Sequence, residues 1–287
     1  MCKALRQRIE EPELMDDLSM GGPELREALQ HLRVLNRIFA AAAPTLYGVR
    51  RLWMEAGQPD RLSILDIGAG SGDVNKHLLR WADANRIDLS VTLVDITEEA
   101  CEEARLFFHD EPRVRVIRRD LFELPEASAD VTTGTQFVHH FAASELPKVV
   151  ASMCKASRLG VVINDIHRHW LPWAAVWLTA RLISNNRYIR KDGPLSVAKG
   201  FRAADWKELK HALGVSDMFY AWRPLFRYVV VIGTRRAHSI DGVEQDEGSH
   251  PGCSGCWRGD RRQQFGQSFS GQRMGYGINR PAAVSPA

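Results

Sequence analysis

The sequence predicts an α/β fold with a seven-stranded, mostly parallel sheet, helices on both faces, an antiparallel C-terminal hairpin and an N-terminal helical lid. Short apolar runs alternate with amphipathic stretches over residues 62–166, which is typical of βαβ units with parallel strands. Three glycines follow the first apolar run directly, in ILDIGAGSGD at 64–73. Two further apolar runs, within 217–234, predict the closing hairpin.

Two helices are predicted before the sheet, and we expect residues 24–56 to form the lid. Leucines at helical spacing predict the first helix at 24–40, and the second is expected at about 45–56. The remaining elements are predicted as strands at 62–68, 89–95, 113–120, 129–135, 160–166, 217–223 and 226–234, and as helices at 73–85, 98–108, 144–157, 169–183 and 203–214. A basic loop is expected between the last two helices.

The chain outside this pattern divides into three segments. Residues 1–23 are polar and end in Gly-Gly-Pro, which predicts a flexible N-terminus before a single domain at 24–237. Residues 167–202 are predicted to be an insert that caps the acceptor pocket. Residues 238–287 are glycine-rich and contain no leucine, so we expect a disordered tail.

The tail contains Cys253 and Cys256 in a C-x-x-C pair, with His250 nearby. A zinc site needs a fourth ligand at a usable spacing, and none is evident, so no metal site is predicted. We therefore expect that deleting the residues after 237 leaves activity intact.

Composition excludes several classes of protein. The formal net charge is +3 and no long basic run occurs, which does not favour a nucleic-acid partner. The N-terminus has no apolar signal region, and no run of eighteen apolar residues predicts a spanning helix. Five scattered cysteines do not suggest a disulfide framework, so a cytoplasmic location is expected; the oligomeric state is not predicted.

The glycine turn is predicted to lie against a nucleotide-like ligand, because the first strand-to-helix turn of such a sheet faces its ligand. The spacing is G-x-G-x-G rather than the G-x-G-x-x-G of dinucleotide enzymes, and Asp66 and Asp73 flank it. Two carboxylates would repel a pyrophosphate but would attract a cationic ligand. S-adenosylmethionine, which has a sulfonium and an ammonium group, fits this requirement.

ILDIGAGSGD resembles motif I of class I S-adenosylmethionine-dependent methyltransferases. The resemblance implies a Rossmann-like fold and S-adenosylmethionine as the methyl donor, released as S-adenosylhomocysteine. Asp95 matches the family's acidic residue that binds the ribose hydroxyls. Asp120 matches the residue that holds the adenine amino group, with Leu121 beside it. The stretch ADVTTGTQFVHHF resembles the fourth strand and following loop of quinone and small-phenol methyltransferases.

The predicted cofactor site combines the glycine turn with these matched positions. The cofactor-binding residues predicted on this basis are Asp66, Gly68, Ala69, Gly70, Gly72, Asp73, Asp95, Ile96, Asp120, Leu121 and Gln136. From their position in the lid helix, Asn36 and Arg37 are predicted to reach the methionine carboxylate.

Catalytic groups are expected on the loops after the fourth and fifth strands. The candidates are His139, His140, Asp165 and His167, with His169 on the same loop as the last of them. Histidine suits a general base near pH 7, and we expect one ring of the adjacent pair to point inward and the other outward. The alternatives are that a histidine only caps a helix or packs on the cofactor, and that Asn164 and Asp165 satisfy buried backbone groups.

The segment at 169–183 is rich in tryptophan, at Trp170, Trp173 and Trp177. Three interpretations are open: a roof over the acceptor pocket, ordinary core packing, or peripheral contact with a membrane surface. The basic residues that follow are Arg187, Arg190 and Lys191. They suit an acidic acceptor, anionic lipid headgroups or a solvated face.

The stretch NNRYIRKDGPLSVAKGFRAADW resembles bacterial methyltransferases encoded beside polyketide synthases. This resemblance implies O-methylation of a small, lipophilic phenolic or polyketide-like acceptor. The alternatives are C-methylation of a quinone-type acceptor and a non-catalytic S-adenosylmethionine-binding protein. An NAD(P) oxidoreductase is disfavoured by the glycine spacing and by Asp66, and a protein or RNA acceptor by the absence of a basic recognition face.

Overall fold

The sheet contains the seven predicted strands within the described residues, in the order β3-β2-β1-β4-β5-β7-β6. The computed structural model describes residues 5–17 and 21–234. The strands are β1 Arg61–Ile67, β2 Asp88–Asp95, β3 Val114–Arg118, β4 Ala129–Thr135, β5 Ser157–Ile166, β6 Met218–Arg223 and β7 Arg227–Gly233. Strands β1 to β5 are parallel, and β7 runs antiparallel to both of its neighbours. The tail predictions, which concern His250, Cys253 and Cys256, lie outside the described residues.

Helices cover both faces of the sheet, as predicted. They are α1 Pro23–Ile38, α2 Ala42–Glu55, α3 Asn75–Asn85, α4 Glu98–Phe107, α5 Leu146–Ala156, α6 Trp170–Ile183, α7 Arg187–Lys199 and α8 Ala203–Leu213. Apolar residues of α2, α3 and α4 pack with one set of strand residues, and those of α5 and α8 pack with the other. Alternation along the strands sends buried residues to both faces, which explains the near-continuous apolar runs in the sequence.

The parallel register determines where the functional loops meet. Ile67 at the end of β1 pairs with Val94 in β2, so the glycine turn lies beside Asp95. The strand order reverses between β2-β1 and β4-β5, and this is the point where open α/β sheets bind ligands.

The predicted lid consists of α1 alone. Helix α2 packs on the sheet, where a Cβ atom on Gly48 would lie 2.4 Å from Val162 Cγ1. This close approach of helix and strand requires glycine and leaves α2 far too tightly packed to serve as a cover. Within the 24–56 segment, the residues that line the cavity at the carboxyl edge of the strands all belong to α1, and they include three leucines.

The expected basic loop after α6 is instead the helix α7. The side chain of Asn186 caps the helix by accepting a hydrogen bond from the Tyr188 amide (3.0 Å). Tyr188 and Ile189 are buried against α1 and α6. The cap and this tertiary packing outweigh the poor helix propensity of the Gly193-Pro194 pair within α7.

The N-terminal segment differs from the predicted flexible terminus, because residues 5–17 pack against the domain. Arg8 donates to the carbonyl oxygens of His139 (2.8 Å) and Lys199 (2.8 Å). Asp192 in α7 accepts the backbone amides of Leu14 (2.9 Å) and Met15 (3.1 Å). The segment is anchored by polar groups, so it lacks the apolar periodicity by which a packed segment is recognised in a sequence.

Within the described residues, no helix has the length and apolar character needed to cross a membrane. Cys101 and Cys154 are free thiols.

Candidate active site

The candidate active site is a cavity of about 600 Å³ at the carboxyl edge of the parallel strands. We call two parts of its lining the glycine wall (residues within 67–73, 94–97 and 119–122) and the histidine wall (residues within 10–16 and 137–142). Helix α1 adds apolar side chains to the same lining, namely Leu25, Leu29 and Leu32. Its volume lies in the range of small-molecule sites.

The glycine turn presents backbone rather than side chains to this cavity. Gly68 and Gly70 have positive φ angles of +61° and +55°. A Cβ atom on Gly68 would lie 2.2 Å from the ring of Phe137, whereas one on Gly70 would meet no described atom closer than Leu29 at 3.7 Å. Gly70 therefore leaves open space over bare backbone, where a ligand can approach closely.

Two of the predicted cofactor residues, Asp66 and Gly72, do not line the cavity. Asp66 is buried beneath the turn and accepts hydrogen bonds from Asn75 Nδ2 (2.6 Å) and Thr133 Oγ1 (2.6 Å). Burial raises the pKa of Asp66 to about 6, although both hydrogen bonds favour the charged form. A Cβ atom on Gly72 would lie 2.4 Å from Leu93 Cδ1. These two residues support the turn and lie outside the cavity lining.

The other nine predicted cofactor residues line the cavity, and they are Gly68, Ala69, Gly70, Asp73, Asp95, Ile96, Asp120, Leu121 and Gln136. Asp95 has an organising role as well, because its Oδ2 accepts the Gly70 amide (2.9 Å) and its Oδ1 accepts the Thr97 amide (3.0 Å). The carboxylate thus ties the end of β2 to the glycine turn.

The charge of the glycine wall is predominantly negative. Asp73, Asp95 and Asp120 line it, and Arg119 is the one lysine or arginine among its described residues. A carboxylate-rich wall favours a ligand with positive charge over a pyrophosphate. These carboxylates fit the sulfonium and ammonium groups of S-adenosylmethionine, and they give no support to a dinucleotide.

The lid helix contacts the glycine wall through Asn36. The Asn36 amide donates to Asp73 Oδ1 (3.1 Å), and its oxygen accepts from Gln136 Nε2 (2.7 Å). The three side chains connect α1, the turn and the loop after β4. Arg37, predicted to act with Asn36, does not line this cavity and faces a separate one.

On the histidine wall, His139 is buried between two carboxylates. Its Nδ1 lies 2.8 Å from Asp165 Oδ1, and its Nε2 lies 3.5 Å from Glu13 Oε1. Burial alone would lower the pKa of His139, but the two carboxylates outweigh it and raise the pKa to about 9. The two carboxylates therefore favour the imidazolium form of His139, so this ring suits the role of a general base less well than a histidine with a free nitrogen.

Asp165 itself does not line the cavity and is fully buried behind His139. Burial would raise the pKa of Asp165, but the charge and hydrogen bond of His139 lower it below its ordinary value. The carboxylate also accepts the backbone amides of His139 (3.2 Å) and Ile166 (2.7 Å). The predicted backbone-satisfying role of Asp165 is therefore present alongside its ion pair.

His140 forms the outward member of the pair, as expected. Its ring stacks on His139 with centroids 4.3 Å apart, and its Nδ1 lies 2.5 Å from Asp16 Oδ1. Burial opposes ionisation of Asp16, but the hydrogen bond to His140 brings the pKa of that carboxyl well below its usual range. A charged Asp16 accepts from Nδ1–H, which leaves Nε2 with a free lone pair; no described residue hydrogen-bonds to it.

Sequence reasoning missed Glu13 and Asp16, the two carboxylates that the N-terminal segment brings to the histidine wall. Lys199 of α7 is buried beside them, with Nζ 3.4 Å from Glu13 Oε1 and 3.2 Å from Asp16 Oδ2. Glu13, His139 and His140 offer ligand atoms within 4.8 Å of one another, a separation suited to a metal ion. The ammonium of Lys199 and the charged His139 already supply positive charge there, so we assign no metal to these residues.

His167 does not join the other catalytic candidates. Its backbone forms a bridge with Phe201, and its ring packs against Tyr228 (centroids 5.4 Å apart) and His169 (5.5 Å apart), outside the cavity lining. Burial lowers the pKa of His167 to about 4. Pairing at Phe201 thus turns the loop away from the crevice that His167 was predicted to face. His169 caps α6 by accepting the Leu171 amide (3.3 Å).

The predicted tryptophan roof is likewise absent from the cavity. None of the three tryptophans of this segment, Trp170, Trp173 and Trp177, lines the cavity. Helix α6 packs mainly against α7, and the roof is formed by α1 and the N-terminal segment. Asn164 satisfies buried groups, as the alternative interpretation held, since its amide donates to Ala41 O (2.6 Å) and Thr45 Oγ1 (2.8 Å).

The three basic residues that follow α6 also lie outside the cavity lining. They are Arg187, Arg190 and Lys191. Arg187 pairs with Glu24 at 2.9 Å, and Arg190 donates to the Ser184 carbonyl at 2.7 Å. An acidic acceptor therefore finds no partner in these three side chains.

Comparison with known proteins identifies the domain type. Residues 64–160, from β1 through α5 into β5, match the family described as "Methyltransferase domain". No curated protein matches the chain. The matched span contains the glycine turn, Asp95, Asp120 and both histidines of the histidine wall.

Solved structures share the fold at low sequence identity. A SAM-dependent methyltransferase from Aquifex aeolicus is 14% identical, with 73% of this chain and 98% of that chain covered and a TM-score of 0.52. A putative S-adenosyl-L-methionine-dependent methyltransferase from Methanococcus maripaludis is 13% identical, with coverage of 76% and 97% and a TM-score of 0.51. Human N-acetylserotonin methyltransferase, solved with SAM, is 13% identical, with coverage of 79% and 63% and a TM-score of 0.52. The chain thus spans under two thirds of the human protein, and at these identities the likeness concerns the fold.

Proposed function

We propose that this chain, a class I S-adenosylmethionine-dependent methyltransferase, methylates a hydroxyl oxygen of a small, lipophilic phenolic or polyketide-like acceptor. The observation that carries the proposal is the His140–Asp16 pair in the same cavity as the glycine wall. A base with a free nitrogen in that position suits removal of a hydroxyl proton.

The glycine wall is where we propose that the cofactor binds. S-adenosylmethionine supplies an electrophilic methyl group on a positively charged sulfur. In the proposed arrangement Asp95 accepts hydrogen bonds from the ribose hydroxyls, and Asp120 accepts one from the adenine amino group. Gly70 allows the ligand to lie against the backbone. Asn36, Asp73 and Gln136 form the polar group that we assign to the methionine end.

The histidine wall and the adjoining aromatic residues support a lipophilic acceptor. Phe137 and Phe141 line the cavity with ring centroids 5.1 Å apart, and Pro12 and Met15 add apolar surface from the N-terminal segment. A flat, apolar ring is well accommodated by such a lining. No arginine or lysine among the described residues lines this wall, so an acceptor with a carboxylate or phosphate beside its hydroxyl is not favoured.

In the proposed reaction, His140 takes the proton of the acceptor hydroxyl at Nε2 while Asp16 holds its Nδ1–H. The developing imidazolium is stabilised by the Asp16 carboxylate. His139 acts as a positioning residue, since its charged ring stacks beside His140 and is fixed by Asp165 and Glu13. The deprotonated oxygen would be the nucleophile for the methyl group that bound S-adenosylmethionine would supply, with S-adenosylhomocysteine as the leaving group.

We propose that the protein is located in the cytosol and that helix α6 contacts a membrane surface. Helix α6 has five exposed large apolar residues, Trp170, Leu171, Trp177, Leu178 and Leu182. Only Pro172 and Ala180 of this helix are buried. An apolar helix face of this kind, with basic residues beside it, suits the interface of a lipid bilayer, from which a lipophilic acceptor can be drawn.

The experiment that tests the proposed function is methyl transfer from radiolabelled S-adenosylmethionine to a panel of phenols and naphthols. We expect His140→Gln and Asp16→Asn each to lower kcat by about 10²- to 10⁴-fold with S-adenosylhomocysteine binding retained. The double variant should be no worse than the poorer single variant, because the two residues act as a unit. His109→Gln, at an exposed histidine beside Asp110, is the matched control.

The product distinguishes the two chemistries. An O–CH3 signal in the NMR spectrum of the product supports the proposal, and a C–CH3 signal supports the quinone-type C-methylation instead. If S-adenosylhomocysteine binds but no phenol is methylated, the acceptor class is wrong.

A further inference from the structure

A second cavity, of about 790 Å³, lies beside the candidate active site between helices α1, α2 and α3. It shares two lining residues with the first cavity, Asn36 and Asp73. These two side chains are hydrogen-bonded to each other at 3.1 Å, so they form part of the boundary between the cavities. Nothing in the methyl-transfer reaction proposed above uses this second cavity, which we call the basic cleft.

The basic cleft is lined by an excess of positive charge. Its basic residues are Arg33, Arg37, Lys76, His77 and Arg80. Its one lining carboxylate among the described residues, Asp73, is occupied by Asn36. The cleft therefore has an anion-attracting surface, in contrast to the carboxylate-rich glycine wall next to it.

Part of this charge has no partner within the described chain. Arg33 pairs with Glu103 at 3.3 Å, and the ammonium of Lys76 lies 3.8 Å from the centroid of the Phe107 ring. The side chains of Arg37, His77 and Arg80 form no hydrogen bond or ion pair with any described residue. Among these three side chains, the guanidinium groups of Arg37 and Arg80 are thus the cations best able to bind a ligand.

The spacing of the charges is unfavourable without a ligand. Arg33 and Arg37 are four residues apart on α1, and Lys76 and Arg80 are four residues apart on α3. Like charges at this spacing lie on one helix face and destabilise a helix by a few tenths of a kcal/mol per pair. Two such pairs line the same cleft, so an anion held between them would relieve both repulsions.

We propose that the basic cleft binds an oligoanionic small molecule whose charges are carried by phosphate groups. Arg37 and Arg80 offer planar guanidinium groups that bind phosphate oxygens in bidentate fashion, and Lys76 and His77 stand in the first turn of α3, whose N-terminus attracts negative charge. The concave shape and the 790 Å³ volume favour a small molecule over a nucleic-acid strand. This site is independent of the methyl acceptor, and its test requires no methyl transfer.

The test is calorimetric titration of the full chain with orthophosphate, pyrophosphate, tripolyphosphate and ADP. We expect affinity to rise from orthophosphate to tripolyphosphate and to fall with added salt. Binding of ADP as tightly as pyrophosphate identifies the ligand as an organic diphosphate, and much weaker binding identifies a free oligophosphate; both support the site.

The Arg37→Ala, Arg80→Ala double variant should bind tripolyphosphate at least about tenfold more weakly, as loss of charge-assisted hydrogen bonds predicts. Both residues are exposed, so the variant is expected to keep the melting temperature of the wild type. The matched control is Arg50→Ala, Arg115→Ala, which removes the same charge at exposed positions outside the cleft.

Three results would overturn the proposal. They are equal loss of affinity in the control variant, equal affinity for orthophosphate and tripolyphosphate, and tighter binding of a single-stranded RNA oligonucleotide than of tripolyphosphate. The last result would assign the cleft to nucleic acid instead.

Discussion

The Nδ1 atom of His139 lies 2.8 Å from Asp165 Oδ1, and both side chains are almost completely buried. The pair accounts for the raised pKa of the inward histidine, and the outward one, His140, is the base in the proposed reaction. Because Glu13 lies on the other side of the same ring, the charge state of His139 depends on the N-terminal segment as well as on Asp165 of β5.

The first prediction concerns stability and pH. The pKa of His139 is raised from 6.5 to about 9 on folding. Its contribution to the free energy of unfolding is therefore complete below pH 6.5 and is lost as the pH rises through 9. We expect His139→Gln to lower the free energy of unfolding at pH 7 by about 3 kcal/mol, since it leaves a buried carboxylate unpaired. Urea unfolding at pH 7 and pH 9.5 measures both effects.

Between these pH values, the wild type should lose more stability than the variant. His109→Gln, at an exposed position, should follow the wild type. Equal losses in the wild type and in His139→Gln would show that His139 is neutral in the folded protein.

The second prediction concerns the cofactor. Asp95→Ala removes a carboxylate that lines the cavity and ties Gly70 in place, so affinity for S-adenosylhomocysteine should fall by about tenfold or more. Isothermal titration calorimetry measures the change. Asp88→Ala, at the far and exposed end of the same strand, is the control and should bind like the wild type. Undiminished binding by Asp95→Ala would remove this residue from the site.

The third prediction separates the roles of two glycines. Gly70→Ala should weaken S-adenosylhomocysteine binding and cost about 1–2 kcal/mol of stability, because φ is +55° but the space above is open. Gly72→Ala should lower stability more, since its Cβ would lie 2.4 Å from Leu93 Cδ1. Thermal melts and calorimetry on both variants check this. A larger stability loss for Gly70→Ala would reverse the assignment.

The fourth prediction concerns α6. The wild type should co-sediment with vesicles that contain 30% phosphatidylglycerol more than with pure phosphatidylcholine vesicles. Leu178→Glu, Leu182→Glu should abolish this binding, because it places charges on the exposed apolar face.

Met54→Glu, Leu106→Glu adds the same charge at exposed apolar positions on other helices and should still bind. Failure of the wild type to bind either vesicle would leave α6 as an exposed face without a membrane role. An equal loss of vesicle binding in both double variants would show that the net charge of the protein, and not the apolar face of α6, controls the binding.

Local sequence patterns by themselves determined the sheet and most of the glycine wall. Buried strands are apolar and are followed by their functional residues, so Gly70 could be identified from its position, and Asp95 and Asp120 from their match to the motifs of the methyltransferase family. Parallel strands end at one edge, and this brings such residues together without further information.

Only the tertiary structure determined which residues come together in the histidine wall. Glu13 and Asp16 lie more than 120 residues from His139 and His140 along the chain, and they meet because Arg8 and Asp192 anchor the N-terminal segment. A segment held by individual polar contacts leaves no periodic signal in a sequence.

The same reason applies to the charge of His139 and to the orientation of His167. A pKa depends on which groups surround a buried ring, and the bridge to Phe201 arises from pairing with a residue 34 positions further along the chain. Residue type and local spacing therefore located the candidate bases, whereas long-range packing determined which of them has a free nitrogen.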